Sequence, residues 1–202
     1  MKKHVHLIGN GPSAGLYNKK GVKGAKYTCN LPPFNVPGAN TTFMVDFKMM
    51  RAIHSGSVKV PGDWIVGHRP KIYMQNNPDF RMRYASHIKE IFTEKPDYVE
   101  NYRDFNCGHM AAYYILTRKN PTNLHLYGFD SLFDFEIRSC TDFYLISNRE
   151  EDNTHRLTNV WREVWEKMFN EFNDVHFTIY HKHDKIKINK PDNVEIIVGR
   201  NK

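Results

Sequence analysis

Apolar residues along this 202-residue chain fall into short runs that alternate with stretches of helical spacing. The runs at 4–8, 26–28, 42–45, 64–66, 123–127 and 176–180 have the length and the β-branched or aromatic content of strands. Residues 47–53, 80–92, 108–118 and 156–172 carry the helical period between them. Strands alternating with helices predict an α/β fold: a single Rossmann-like, three-layer domain with a mainly parallel sheet. The clearest period lies in 156–172, where Leu157, Val160, Trp161, Val164, Trp165, Met168, Phe169 and Phe172 share one stripe between charged residues. That stripe reads as core.

Two stretches break the alternation. Residues 31–40 (LPPFNVPGAN) carry three prolines and a glycine, and should loop over the carboxyl edge of the sheet. Residues 131–154 are rich in aromatics and charge without a clean period, and are expected to form a small lid insertion over a ligand. A basic tail from 182 to 202 holds one expected strand, 194–198, whose position in the sheet the pattern does not give.

The first strand ends in HVHLIGNGPSAG, where an apolar run breaks into glycines, a proline and a serine. A buried strand ending this way delivers a tight turn and then a helix N-terminus, which favours an anion such as phosphate. Gly9, Asn10, Gly11, Pro12 and Ser13 are therefore candidate phosphate-binding residues. The run also matches a loose dinucleotide fingerprint, Gly9-x-Gly11-x-x-Ala14. That fingerprint calls for an acidic ribose anchor about 20 residues on. Residues 1–45 contain six lysines and no Asp or Glu, and Asn30 stands after the second strand. An amide there can read a sugar hydroxyl or a base edge, so the phosphate is retained and a nicotinamide or flavin cofactor is not expected.

Composition narrows the class. A chain of this length buries roughly 70% of its extended-chain surface without staples. Cys29, Cys107 and Cys140 are too few for a disulfide framework, which favours a reducing, cytoplasmic location. No apolar run is long enough for a signal peptide or a membrane span. A net charge of +7 fits an anionic ligand or partner and equally a solvated basic surface.

The order of these blocks resembles bacterial single-domain sialyltransferases: GNGPS at 9–13, Cys29-Asn30 after the second strand, Cys107-Gly108 opening a helix, LHLYGFD at 124–130, and His155 just ahead of an amphipathic helix. The resemblance implies an inverting, metal-independent transferase of the sialyltransferase-like kind, acting on a CMP-activated or other nucleotide-activated sugar with no cofactor. It implies that Asn10 and Asn30 hold phosphate, ribose or cytosine, that Cys107 and Gly108 meet the nucleotide or the sugar carboxylate, and that Gly128 lines the base pocket. His155 becomes the base that deprotonates the acceptor hydroxyl, and Tyr144 a phosphate ligand from the lid. Cys107 stands where the family has serine, and Arg69-Pro70 where it has Asn-Pro.

Each candidate has a plainer reading. His155 can be a surface histidine near a helix start, and Asn10 a turn-former. Cys107 can be a nucleophile, because a helix N-terminus lowers a thiol's pKa, but a small buried cap is the better reading. His181, His183 and Asp184 suggest a metal, yet no further ligand is evident, so no metal site is expected. Two other functions stay open: a catalytically silent nucleotide or nucleotide-sugar binding protein, and a transferase acting on nucleic acid, which would bind with steep salt dependence.

Overall fold

A computed structural model describes residues 3–17, 22–32, 34–135 and 151–199. Among the described residues eight strands form one sheet: β1 (His4–Ile8), β2 (Ala25–Cys29), β3 (Thr41–Met44), β4 (Asp63–Val66), β5 (Ile88–Ile91), β6 (Asn123–Tyr127), β7 (His176–His181) and β8 (Val194–Val198). Their order is β5-β4-β3-β2-β1-β6-β7-β8, and every neighbouring pair is parallel. The helices are α1 (Phe47–His54), α2 (His68–Asn76), α3 (Pro78–Arg83), α4 (Cys107–Tyr114) and α5 (Glu151–Glu171). A π turn, Ile115–Lys119, extends α4, and 3-10 turns follow β1 and β6. This is the α/β Rossmann-like layering that the alternation predicts.

Successive residues on each strand serve opposite layers, so residues two apart share one. Val5, Leu7, Leu124, Leu126, Phe177 and Ile179 pack with Ala111 of α4 and with Trp165, Met168 and Phe169 of α5. On the other face Met44, Trp64 and Val66 meet Met49, Met50 and Ile53 of α1, Met74 of α2 and Phe80 of α3. The 31–40 loop packs there too, with Val36 against Ile8, Ala14, Tyr17 and Tyr127. No helix among the described residues is long and apolar enough to cross a membrane.

The chain steps outward from β1 to β5, then returns to lay β6 on the other side of β1. A crevice opens where such a sheet reverses, beyond the carboxyl ends of β1 and β6, and this is where open α/β sheets bind ligands.

Two expectations need correction, and one strand left without a position gains one. Residues 80–92 are not one helix: α3 stops at Arg83 and β5 begins at Ile88. Backbone bonds to β4 make the difference, Trp64 N–H donating to His87 O at 2.7 Å and Phe92 N–H to Val66 O at 2.9 Å. α5 begins at Glu151, so the end of the expected lid belongs to a helix, and His155 lies within it rather than ahead of it. The tail strand has a definite place, at the edge beside β7.

Candidate functional site

Two turns meet at the switch point. Gly9 N–H donates to Tyr127 O at 2.7 Å and Gly11 N–H to Gly128 O at 3.0 Å, stitching the end of β1 to the end of β6. A Cβ on Gly11 would lie 2.1 Å from Asp130 Oδ2, and Gly128 has a left-handed φ of 79°, so both positions need glycine. Ser13 N–H donates to both oxygens of Asp130, at 3.2 and 3.1 Å, and its hydroxyl donates to Oδ2 at 2.7 Å. The anion that GNGPS holds is therefore the chain's own Asp130 carboxylate. Phosphate at this helix start is corrected accordingly: Pro12 has no N–H, and Ser13 is committed.

Beside that turn lies a crevice of about 200 Å³, against the roughly 10–15 Å³ that one water requires. Gly9, Asn10, Gly11, Asn30, Cys107, Gly108 and Gly128 all line it. Pro12 and Ser13 are not among its lining residues, and Tyr144 falls outside the described residues, as does most of the expected lid. The remaining wall comes from Cys29, Asp46, Arg69, Arg103 and Asn106, the 129–131 segment, and Leu157, Trp161 and Trp165 of α5. The α5 stripe is thus core only in part, since its N-terminal end faces the crevice.

Polar groups in this wall are held in place. Asn10 donates through Nδ2 to Leu31 O at 2.9 Å and accepts from Asn30 Nδ2 at 3.3 Å. Asn30 itself sits at a left-handed φ of 54°, a conformation asparagine tolerates better than most side chains. Its Oδ1 is buried without a hydrogen-bond partner among the described residues, and so is Trp161 Nε1. Arg69 pairs with Asp46 at 3.3 Å, and Arg103 is largely exposed. Cys107 donates from Sγ to Phe43 O at 3.0 Å, which fits the cap reading better than a nucleophile.

The start of α4 is fixed by a reciprocal cap: Asn106 Oδ1 accepts His109 N–H at 2.9 Å, and His109 Nδ1 accepts Asn106 N–H at 3.2 Å. His109 Nε2 faces Trp161 O at 3.1 Å, so the ring proton sits on Nε2 and ties α4 to α5. Burial pushes the pKa of His109 down to about 3, which keeps the ring neutral.

His155 is not among the lining residues; its ring packs 4.2 Å from that of Phe135. At about 100° per residue, His155 and Leu157 point roughly 160° apart around α5. The residues missed from sequence are Asp46, Arg69 and Arg103 as crevice charges and Trp161 as a hydrogen-bond donor. Only the switch-point rule could have found them, since each stands just beyond the carboxyl end of a strand or at the sheet's reversal. The histidine pair at 181 and 183 does gain a third group of metal-ligand type, but it is Asp134 and not Asp184. No protein-family model, curated protein or solved structure matches this chain.

Proposed function

We propose that the chain binds a nucleotide-activated sugar in the switch-point crevice, a CMP-linked one first, and transfers that sugar to an acceptor hydroxyl with inversion and without a metal at the phosphate. One observation carries the reading: Asn30, a crevice residue just past the end of β2, has a buried Oδ1 without a hydrogen-bond partner among the described residues, at the place where such folds read a ribose or base. A buried acceptor without a partner costs about 1–3 kcal/mol. A cytosine amino group or a ribose hydroxyl supplies the missing hydrogen.

Other wall groups suit the rest of that ligand. The guanidinium groups of Arg69 and Arg103 give charge-assisted bonds to phosphate, and Trp161 Nε1 donates to an anionic oxygen. The base that takes the acceptor proton as its oxygen attacks the anomeric carbon needs a carboxylate or imidazole in the crevice that ligand binding leaves free, as Asp46 is once Arg69 turns from it to the phosphate. Asp46 fits this role better than His155, because it lines the wall while His155 points elsewhere, and Asp130 is committed to Ser13. The bond electrons leave with the nucleotide phosphate.

The placement of His155 favours a second reading, a binding protein without transfer. Calorimetric titration with CMP, CMP-sialic acid, UDP- and GDP-sugars and NAD, followed by assays of sugar release, separates the two. Asp46→Asn is expected to abolish turnover and keep binding, and His155→Ala to change neither strongly. Binding of NAD alone, with no response to any nucleotide sugar, overturns the proposal.

A further inference from the structure

We infer that Asp134, His181 and His183 form a divalent-cation site, with zinc the best-matched ion, on the far side of Asp130 from Ser13. The inference is independent of the proposed transfer. None of the three residues lines the crevice.

Three parts of the chain converge to build it. Asp134 ends the turn after β6, where its N–H donates to Asp130 O at 2.9 Å. His181 is the last residue of β7, and its carbonyl accepts Gly199 N–H at 2.9 Å. His183 follows where the strand bends, with its ring nearly perpendicular to that of His181 and 4.5 Å away. The bend lets two residues that alternate in sequence converge on one carboxylate.

The spacing suits a metal. His181 Nε2 lies 3.4 Å from Asp134 Oδ2, and His183 Nε2 lies 3.5 Å from Oδ1. A tetrahedral ion with bonds of about 2.0–2.2 Å holds its ligand atoms about 3.3–3.6 Å apart. One ligand atom from each residue fits within 4.8 Å of the others.

His181 makes the strongest case. It is 2% exposed, yet neither ring nitrogen has a hydrogen-bond partner among the described residues. Its Nδ1 faces Asp130 Oδ1 at 3.6 Å while Nε2 faces Asp134. Metal-bound histidines commonly donate their other N–H to a carboxylate, which fixes the tautomer and the ring. An ion on Nε2 places the proton on Nδ1 and directs it at Asp130. At His183 the proton moves likewise to Nδ1, and Lys185 N–H, which reaches that nitrogen at 3.3 Å on an exposed segment, turns to water. Three protein ligands leave one position for water, and the ion reaches the GNGPS turn through His181, Asp130 and Ser13.

The test uses the 202-residue chain without a tag, stripped with chelator and titrated with Zn²⁺ by calorimetry and with Co²⁺ by visible absorption. One equivalent is expected, with the d–d bands of four-coordinate cobalt and a higher melting temperature with zinc. Asp134→Asn and His183→Ala, both at partly exposed positions, should each weaken uptake about tenfold or more. His176→Ala, at a surface histidine beside Glu195, should leave it unchanged. Absence of uptake by the parent chain overturns the inference. So does uptake that survives both ligand substitutions, or uptake that is lost in the His176 variant. Measuring CMP binding with and without zinc keeps this outcome separate from that of the transfer reading.

Discussion

The hydroxyl of Ser13 donates to Asp130 Oδ2 at 2.7 Å, joining the turn after β1 to the turn after β6 across 117 residues of sequence. Gly128 N–H closes the group by donating to Ser13 Oγ at 3.2 Å. Asp130→Asn replaces one acceptor oxygen with an NH₂ facing Ser13 N–H, and should cost about 1–3 kcal/mol. Gly11→Ala drives a methyl into the held carboxylate and should also cost about 1–3 kcal/mol. Gly56→Ala, with φ of 76° but open space around it, is expected to cost about 1 kcal/mol. Urea midpoints at pH 7 rank the three, and a Gly11 variant as stable as the parent would remove Asp130 as the clamp.

Asn30 supports a prediction that separates binding from folding. Asn30→Gly keeps the left-handed backbone available and deletes the orphaned oxygen together with the Nδ2 bond to Asn10, two opposed effects of about 1 kcal/mol each, so stability of the ligand-free chain should shift by no more than about 1 kcal/mol. Affinity for CMP should fall about two- to tenfold, the worth of one net hydrogen bond. Titration calorimetry beside a thermal melt reads both quantities. Unchanged affinity would take Asn30 out of the ligand's reach.

Arg69 tests for the phosphate. Its pair with Asp46 is partly exposed, so Arg69→Ala should shift stability by no more than about 1 kcal/mol. The same substitution should weaken CMP binding while leaving cytidine binding nearly unchanged, because only CMP carries the charge that a guanidinium reads. Equal losses for both ligands would place Arg69 near the base or the sugar instead.

Sequence spacing carries local facts well and long-range ones poorly, and this chain shows both. β1 and β6 are legible because each is a self-contained apolar run, and α5 because its stripe repeats over many turns. The start of α5 is not, because Glu151, Asp152, Asn153 and Thr154 are polar and add nothing to an apolar period. β5 is hidden for a related reason: its ladder bonds come from β4, and four residues of alternation look like part of a helix. Leu157 and Trp161 were legible as apolar but not as a crevice wall, since core and pocket use the same residue types. GNGPS was legible as an anion-binding turn, yet nothing in the local sequence says that its anion is Asp130.

His109 makes the chain's acid sensitivity predictable. Its folded pKa of about 3 lies below the unfolded value of about 6.5, so below that value the unfolded chain takes up a proton that the folded chain refuses. Folding free energy is therefore lost as pH falls from about 6.5 toward 3, by about 1.4 kcal/mol per pH unit for one such histidine. Burial beside His6 and His4 also lowers His125, to about 4, which adds to the slope over the upper part of that range. His109→Gln keeps a side-chain acceptor for Asn106 N–H and completes a capping box with a group that does not titrate. The variant should be less stable than the parent near pH 7.5, having lost the buried ring, and close that gap steadily between pH 6 and 4, measured as urea midpoints across pH. Parallel pH profiles for the two proteins would show that the His109 ring accepts its proton in the folded state, and that burial does not hold it neutral.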